Sequence, residues 1–221
     1  WPGGNMFVGM ENYINGLTTS GFFFSFLRSV FISVFSVLLI IVCTSMTAWY
    51  LIRVKNKMTK VLYYVFVFSM IVPFQMVMYT MTFMVTSLCF DNVVGIILVY
   101  LGFGAGLSVF MFAGFVKGVP LEVEEAATID GCNPLQTFFM IVFPMLKPTA
   151  ITVAILNAMW IWNDYLLPYL ILGSDNKTVP VAIQLAMQGA YGSTDYGGFM
   201  AMLVLSIIPI IIFYISSQKY I

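Results

Sequence analysis

Val30–Ile52 reads VFISVFSVLLIIVCTSMTAWYLI, a run without one charged side chain. At 1.5 Å per residue, a helix of this length crosses a hydrocarbon core of about 30 Å. Arg28 stands before the run, and Arg53, Lys55, Lys57 and Lys60 follow it closely. A long apolar run flanked by cations predicts a membrane-spanning helix. The chain repeats the pattern at about 61–88, 93–116, 151–172 and 199–215. The expected fold is therefore all-α, a polytopic transmembrane helical bundle with five spans present.

Composition agrees. Of 221 residues, 61% are hydrophobic and 8% charged, and the mean hydropathy is +0.99. Soluble domains carry about 25% charged residues, so these charges are too few to clothe a globule in water. The net charge is zero, which gives no electrostatic case for nucleic acid. Histidine is absent, removing the commonest metal ligand and proton shuttle. Cys43, Cys89 and Cys132 show neither metal-ligand spacing nor a disulfide framework. No metal site, cofactor or nucleophile–base pair is expected, and the chain does not read as an enzyme.

Residues 1–27 read as a loop with a short amphipathic piece outside the bilayer, ahead of a membrane domain at 28–221. Trp1 is not an initiator, so the chain is expected to begin within a longer gene product. Basic residues set the orientation. Arg53, Lys55, Lys57, Lys60, Lys117, Lys147 and Lys219 fall on one side, Arg28 and Lys177 on the other. The positive-inside rule places the first set in the cytoplasm. The segment 117–148 is then cytoplasmic, and 173–198 is external together with 1–27.

Within the second span, Pro73 withholds an N–H from the carbonyl of Ser69, so a kink is expected there. Gln75, Thr80 and Thr82 line an interior face or are satisfied by neighbouring helices. In the third span, Gly102 and Gly106 form a small-xxx-small pair that lets helices approach closely.

The segment 117–148 is the longest polar island and holds Glu122, Glu124, Glu125 and Asp130. Val119-Pro120 suits a helix start. The two glutamates Glu122 and Glu124 stand near the positive end of the helix dipole, and Gly131 suits the left-handed residue that ends the helix. Asn133, Pro134 and Gln136 then make a second start with a capping box. That helix is expected to reach about Val142, where Phe143-Pro144 and Lys147-Pro148 break it. Small Ala126 and Ala127 would allow a close fit into a groove on another protein. The residues alone leave a second reading open, an ordinary structured loop with a solvated acidic face.

Glu125-Ala126-Ala127, Gly131, Ile141 and Phe143-Pro144 stand at spacings that resemble the EAA signature of ABC-importer membrane subunits. Phe143 replaces the family's leucine, and Asp130 before Gly131 looks like the sugar-importer branch. The resemblance covers the whole chain and implies a type I ABC importer-like bundle with six spans, the first missing here. It implies a multi-pass protein of the bacterial inner membrane. It further implies that this loop docks on the ATPase through Glu125, Ala126, Ala127, Asp130, Gly131 and Pro144. The partners implied are a second permease subunit, two cytoplasmic ATPase subunits that bind the ATP, an extracellular solute-binding protein, and membrane lipid.

In the fourth span, Asn157, Trp160 and Asp164 share one helical face, and Asn163 adjoins them. A charge in the membrane is costly, which makes Asp164 a functional candidate. Pro168 would leave the carbonyl of Asp164 free. Carboxylate, amide, carbonyl and indole together suit a sugar or oligosaccharide, with Gln75 a further candidate. The other reading is that Asn163 and Asp164 hold the helix to its neighbours. The same machine could carry a polyol, an amino acid or a peptide. An ion-coupled transporter needs more buried ionisable groups than the single Asp164.

Overall fold

Val30–Ile52 forms the body of a longer helix, α2 (Phe22–Arg53), preceded by the short α1 (Glu11–Thr19). The computed structural model describes residues 9–19, 21–188 and 196–217. Trp1, Asp195 and Lys219 lie outside these. Among the described residues every regular element is a helix. They continue as α3 (Lys57–Ser69), α4 (Phe74–Ser87), α5 (Val93–Val116), α6 (Leu121–Ile129) and α7 (Pro134–Thr137). A π-helical segment (Phe138–Val142) leads to α8 (Phe143–Met145), α9 (Lys147–Asn163), α10 (Leu166–Leu172), α11 (Val179–Met187) and α12 (Tyr196–Ser217).

Among the described residues three helices, α2, α5 and α12, are long and apolar enough to span a membrane alone, and the number reaches five if each of two bent pairs is one span. α2 starts at Phe22, before Arg28. The expected loop 1–27 thus contains α1 and the first turns of α2.

The centre is the α2–α5 pair, flanked by α9 and α3. Ile40 and Ala48 of α2 and Ile96, Tyr100, Val109 and Phe112 of α5 are sealed from solvent. The buried face of α2 also carries small hydroxyls, among them Ser29, Ser36, Thr44 and Ser45. Small side chains let helix backbones approach closely. Thr44 donates to the carbonyl of Ile40 at 2.6 Å, so its hydroxyl is satisfied within the helix. At the other end, Arg28 donates to the carbonyl of Lys177 at 2.8 Å, and the Val179 N–H donates to Ser29 at 2.8 Å. Arg28 and Lys177, assigned to one side by charge, meet there.

The glycines of α5 differ from the expected Gly102–Gly106 pair. A Cβ on Gly102 would meet nothing within 4 Å. One on Gly106 would lie 2.8 Å from the backbone oxygen of Phe66 in α3, and one on Gly104 would lie 2.7 Å from both Asn157 and Ile40. The close approaches are therefore at Gly106 toward α3, and at Gly104 toward α2 and α9.

Two expected spans are broken rather than bent gently. α3 and α4 meet at 106° around Met70–Pro73. Pro73 has ψ 138° and stands before α4 rather than inside a helix. Proline disfavours helical backbone in the preceding residue as well as withholding its own N–H, so the helix ends instead of kinking. The run 151–172 is likewise not one helix. α9 begins earlier, at Lys147, and stops at Asn163; Asp164 turns extended with ψ 122°. Pro168 then falls in the first turn of α10, where no N–H is needed. The proline follows a break instead of leaving a carbonyl unpaired inside a continuous helix.

Candidate functional site

The segment 117–148 forms as its caps dictate. α6 ends at Gly131, whose φ is +86°. Asn133 accepts from the Gln136 N–H at 2.9 Å, and Gln136 accepts from the Asn133 N–H at 2.8 Å. The helix that follows does not stop at Phe143-Pro144. The Phe143 N–H bonds to the carbonyl of Phe138, five residues back. This wider π register lets the chain pass Pro144 and carry on to Met145. The break comes at Leu146, where the axis turns by 77° into α9.

Side-chain orientation on α6 decides what the segment can do. Glu124 points inward and is only 7% exposed. Its carboxylate accepts from Arg53 Nε at 2.9 Å, Arg53 Nη2 at 2.6 Å and Trp49 Nε1 at 2.9 Å. Arg53 Nη2 also donates to the Val119 carbonyl at 2.9 Å. Trp49 packs against the buried Phe138 ring with centroids 5.4 Å apart. The C-terminal end of α2 is thus tied to α6 by a charge-assisted network and to the π segment by an aromatic contact.

Glu125, Ala126, Asp130 and Gly131 are exposed, with Leu121, Ile129 and Leu135 as apolar companions. Pro144 is exposed too. Ala127, also expected in the docking set, is buried, 3% exposed, one turn from Glu124. Its small side chain serves the fit of α6 to this chain's own core, because positions three apart share a helical face.

The fourth-span candidates do not form one polar face open to a cargo. Asn157 is buried, and its Nδ2 donates to Ser108 Oγ at 3.2 Å and to the Val153 carbonyl at 2.9 Å. It joins α9 to α5. Trp162 is buried and donates to the Ser206 carbonyl of α12 at 3.1 Å. Asp164 is held on both oxygens. Oδ2 accepts from Tyr100 at 3.1 Å, and Oδ1 accepts from the Leu166 N–H at 3.1 Å and the Leu167 N–H at 3.4 Å. Asp164 therefore caps α10 and gives the sealed Tyr100 hydroxyl its partner.

Trp160 remains 41% exposed, with its ring edge-on to Tyr100 at 5.5 Å. Asn163 is exposed, and its amide donates back to the Met159 carbonyl at 2.7 Å. Gln75 is exposed in the first turn of α4, beside the 106° bend. Trp160, Asn163 and Gln75 are thus the exposed candidates, and Asp164 is half-buried. No group of three or more metal-ligating side chains occurs among the described residues.

The Glu124 network escaped the sequence reading. One signal was present, since Trp49 and Arg53 stand four apart on one face of α2. Their partner lies 71 residues beyond Arg53, where local patterning does not reach.

The sequence pattern of the family described as "Binding-protein-dependent transport system inner membrane component" matches residues 40–221. The probable starch degradation products transport system permease protein AmyC of Thermoanaerobacterium thermosulfurigenes is 38% identical over 95% of this chain and 76% of its own. The multiple sugar-binding transport system permease protein MsmG of Streptococcus mutans is 36% identical over 97% of this chain and 78% of its own. Among solved structures, a bacterial ABC transporter that imports the acidic polysaccharide alginate superposes with a TM-score of 0.81 at 24% identity. That match covers 95% of this chain and 78% of the other.

Proposed function

The chain belongs to the family of inner membrane components of binding-protein-dependent transport systems, and we propose that it forms half of the translocation pathway of an ATP-driven sugar importer. Sugar or oligosaccharide is the cargo this reading assigns, in line with the carbohydrates named for AmyC and MsmG. A second permease supplies the other half of the pathway. Two cytoplasmic ATPase subunits bind and hydrolyse the ATP, and an external binding protein delivers the cargo onto loops that include 173–198.

The observation that carries the proposal is the two-sided character of α6. Its inner side is fastened to α2 through Glu124, while Glu125, Ala126, Asp130 and Gly131 face outward. A helix held this way can pass a push from an ATPase into the α2–α5 core instead of absorbing it. Movement entering through α7 meets the bend at Leu146 before reaching α9. Trp160, Asn163 and Gln75 are the positions assigned to the cargo route.

Site-directed crosslinking tests the docking. In the assembled importer, Ala126→Cys is expected to crosslink to an ATPase subunit carrying a cysteine in its docking groove. An equivalent cysteine at exposed Met145 is expected to crosslink weakly. Absence of any α6 crosslink in a complex that transports would overturn the assignment.

A further inference from the structure

At the cytoplasmic edge of the bundle, the end of α2, the start of α3 and the end of α5 enclose a groove of about 610 Å³. Lys55, Lys57, Lys60 and Lys117 line it. Leu51, Ile52, Tyr63 and Tyr64 line it as well, giving it an amphipathic wall. No carboxylate lines it, and among the described residues none of the four lysines forms an ion pair. Glu124, close in sequence to Lys117, is already taken by Arg53. Lys117 Nζ rests over the Tyr63 ring, 5.7 Å from its centroid.

Four ammonium groups around one hollow repel each other and favour an anion between them. All four lysines are exposed, and lysines at a membrane boundary keep their charged heads at the polar interface. From the groove, α3 continues with an outward face of exposed Val61, Tyr64, Val65 and Phe68. That face is apolar enough for acyl chains. A phospholipid satisfies both parts.

We infer that the groove binds the phosphate headgroup of an anionic phospholipid of the inner leaflet, whose acyl chains lie along α3. The site touches the joint between α2 and α6: Ile52 precedes Arg53, and Lys117 lies two residues before Val119, whose carbonyl accepts from Arg53. A bound lipid therefore braces the same corner that the Glu124 network fastens. The inner-leaflet assignment rests on the orientation proposed above, whereas the groove's chemistry does not.

The test uses the assembled importer in phosphatidylcholine nanodiscs with and without phosphatidylglycerol, and native mass spectrometry to count retained lipid. Wild type is expected to retain phosphatidylglycerol in preference to phosphatidylcholine. Lys57→Gln with Lys117→Gln removes one charge from each of two walls. At about fivefold per lysine, the pair is expected to weaken retention about 25-fold. Lys57→Arg with Lys117→Arg should retain the lipid. Equal retention of both lipids by wild type, or unchanged phosphatidylglycerol retention in the glutamine pair, overturns the site. Loss of an ATPase subunit from the glutamine pair without loss of lipid also overturns it and assigns the lysines to a protein contact. Orientation is read separately. With the three native cysteines replaced by serine, Lys55→Cys should react with an impermeant thiol reagent in inverted vesicles only. Reaction in right-side-out vesicles would refute the topology and leave the headgroup measurement standing.

Discussion

Glu124→Ala should unfasten α6 from the bundle while leaving the membrane core intact. The substitution removes the acceptor of three hydrogen bonds, two from Arg53 and one from Trp49. The Glu124 and Arg53 side chains are 9% and 20% exposed. Removing one partner from a buried ion pair costs about 3–5 kcal/mol, because the other charge is left uncompensated. Arg53 keeps some water and its bond to the Val119 carbonyl, which argues for the lower end, about 3 kcal/mol. That corresponds to about two orders of magnitude in an equilibrium constant. The loss should appear as local opening, because Ile40, Phe112 and the rest of the α2–α5 core do not depend on this carboxylate.

Hydrogen exchange on the assembled importer measures it. Amides of 121–130 should exchange about 100-fold faster in Glu124→Ala, and those of α5 should be unchanged. Glu124→Gln keeps one acceptor oxygen and should fall between. In a double-mutant cycle, Arg53→Met should add little to Glu124→Ala, because the two share one interaction. Uptake should fall while the ATPase subunits stay bound. If α6 amides exchange as in wild type, the carboxylate is not the fastener and the route from α6 to α2 is wrong.

Other outcomes follow from the same contacts. Gly131→Ala forces a side chain into φ +86° and should destabilise the α6–α7 turn by about 1–2 kcal/mol. Gly131→Asp should abolish coupled transport with normal membrane insertion, read by uptake and by fractionation. Gly106→Ala should lower the melting temperature of the purified subunit, because its Cβ meets backbone at 2.8 Å, whereas Gly102→Ala should leave it unchanged. Asp164→Ala should weaken uptake and leave ATPase assembly intact. It orphans the buried Tyr100 hydroxyl at a cost of about 1–3 kcal/mol. The Tyr100→Phe background should recover much of that stability, and normal uptake kinetics would assign Asp164 a purely structural part.

The legible features were those carried by a few adjacent residues. The charge-free run at Val30–Ile52, the bounds of α5, the Asn133–Gln136 capping box and the left-handed Gly131 all follow from local chemistry. Which of three acids on α6 turns inward was not local. Glu122, Glu124 and Glu125 look alike in sequence, and burial of Glu124 depends on Arg53 and Trp49 across the fold. Proline shows the same limit. Pro73 stands before a helix at a 106° bend, Pro144 is passed by a π register, and Pro209 sits inside an unbroken α12. A missing N–H says that a ladder bond is lost. It does not say whether the chain answers by breaking, by widening its register or by tolerating the loss.

Those different answers are what give the bundle its mechanical asymmetry. The breaks fall at Met70–Pro73, Leu146 and Asp164, all outside the α2–α5 pair, each member of which is one uninterrupted helix through the core. A displacement of α6 reaches α2 through Glu124 without crossing a break. A displacement of α7 must cross the 77° turn at Leu146 before it reaches α9, and the Asp164 break before α10. Packed cores have discrete arrangements and resist continuous deformation. Relative movement within the subunit is therefore expected at the breaks, with α2 and α5 moving as one body. Paired spin labels on α2 and α5 should hold a constant separation through the transport cycle, while a label pair spanning Leu146 should change. The opposite pattern would place the flexible element in the core and remove the reason for fastening α6 to it.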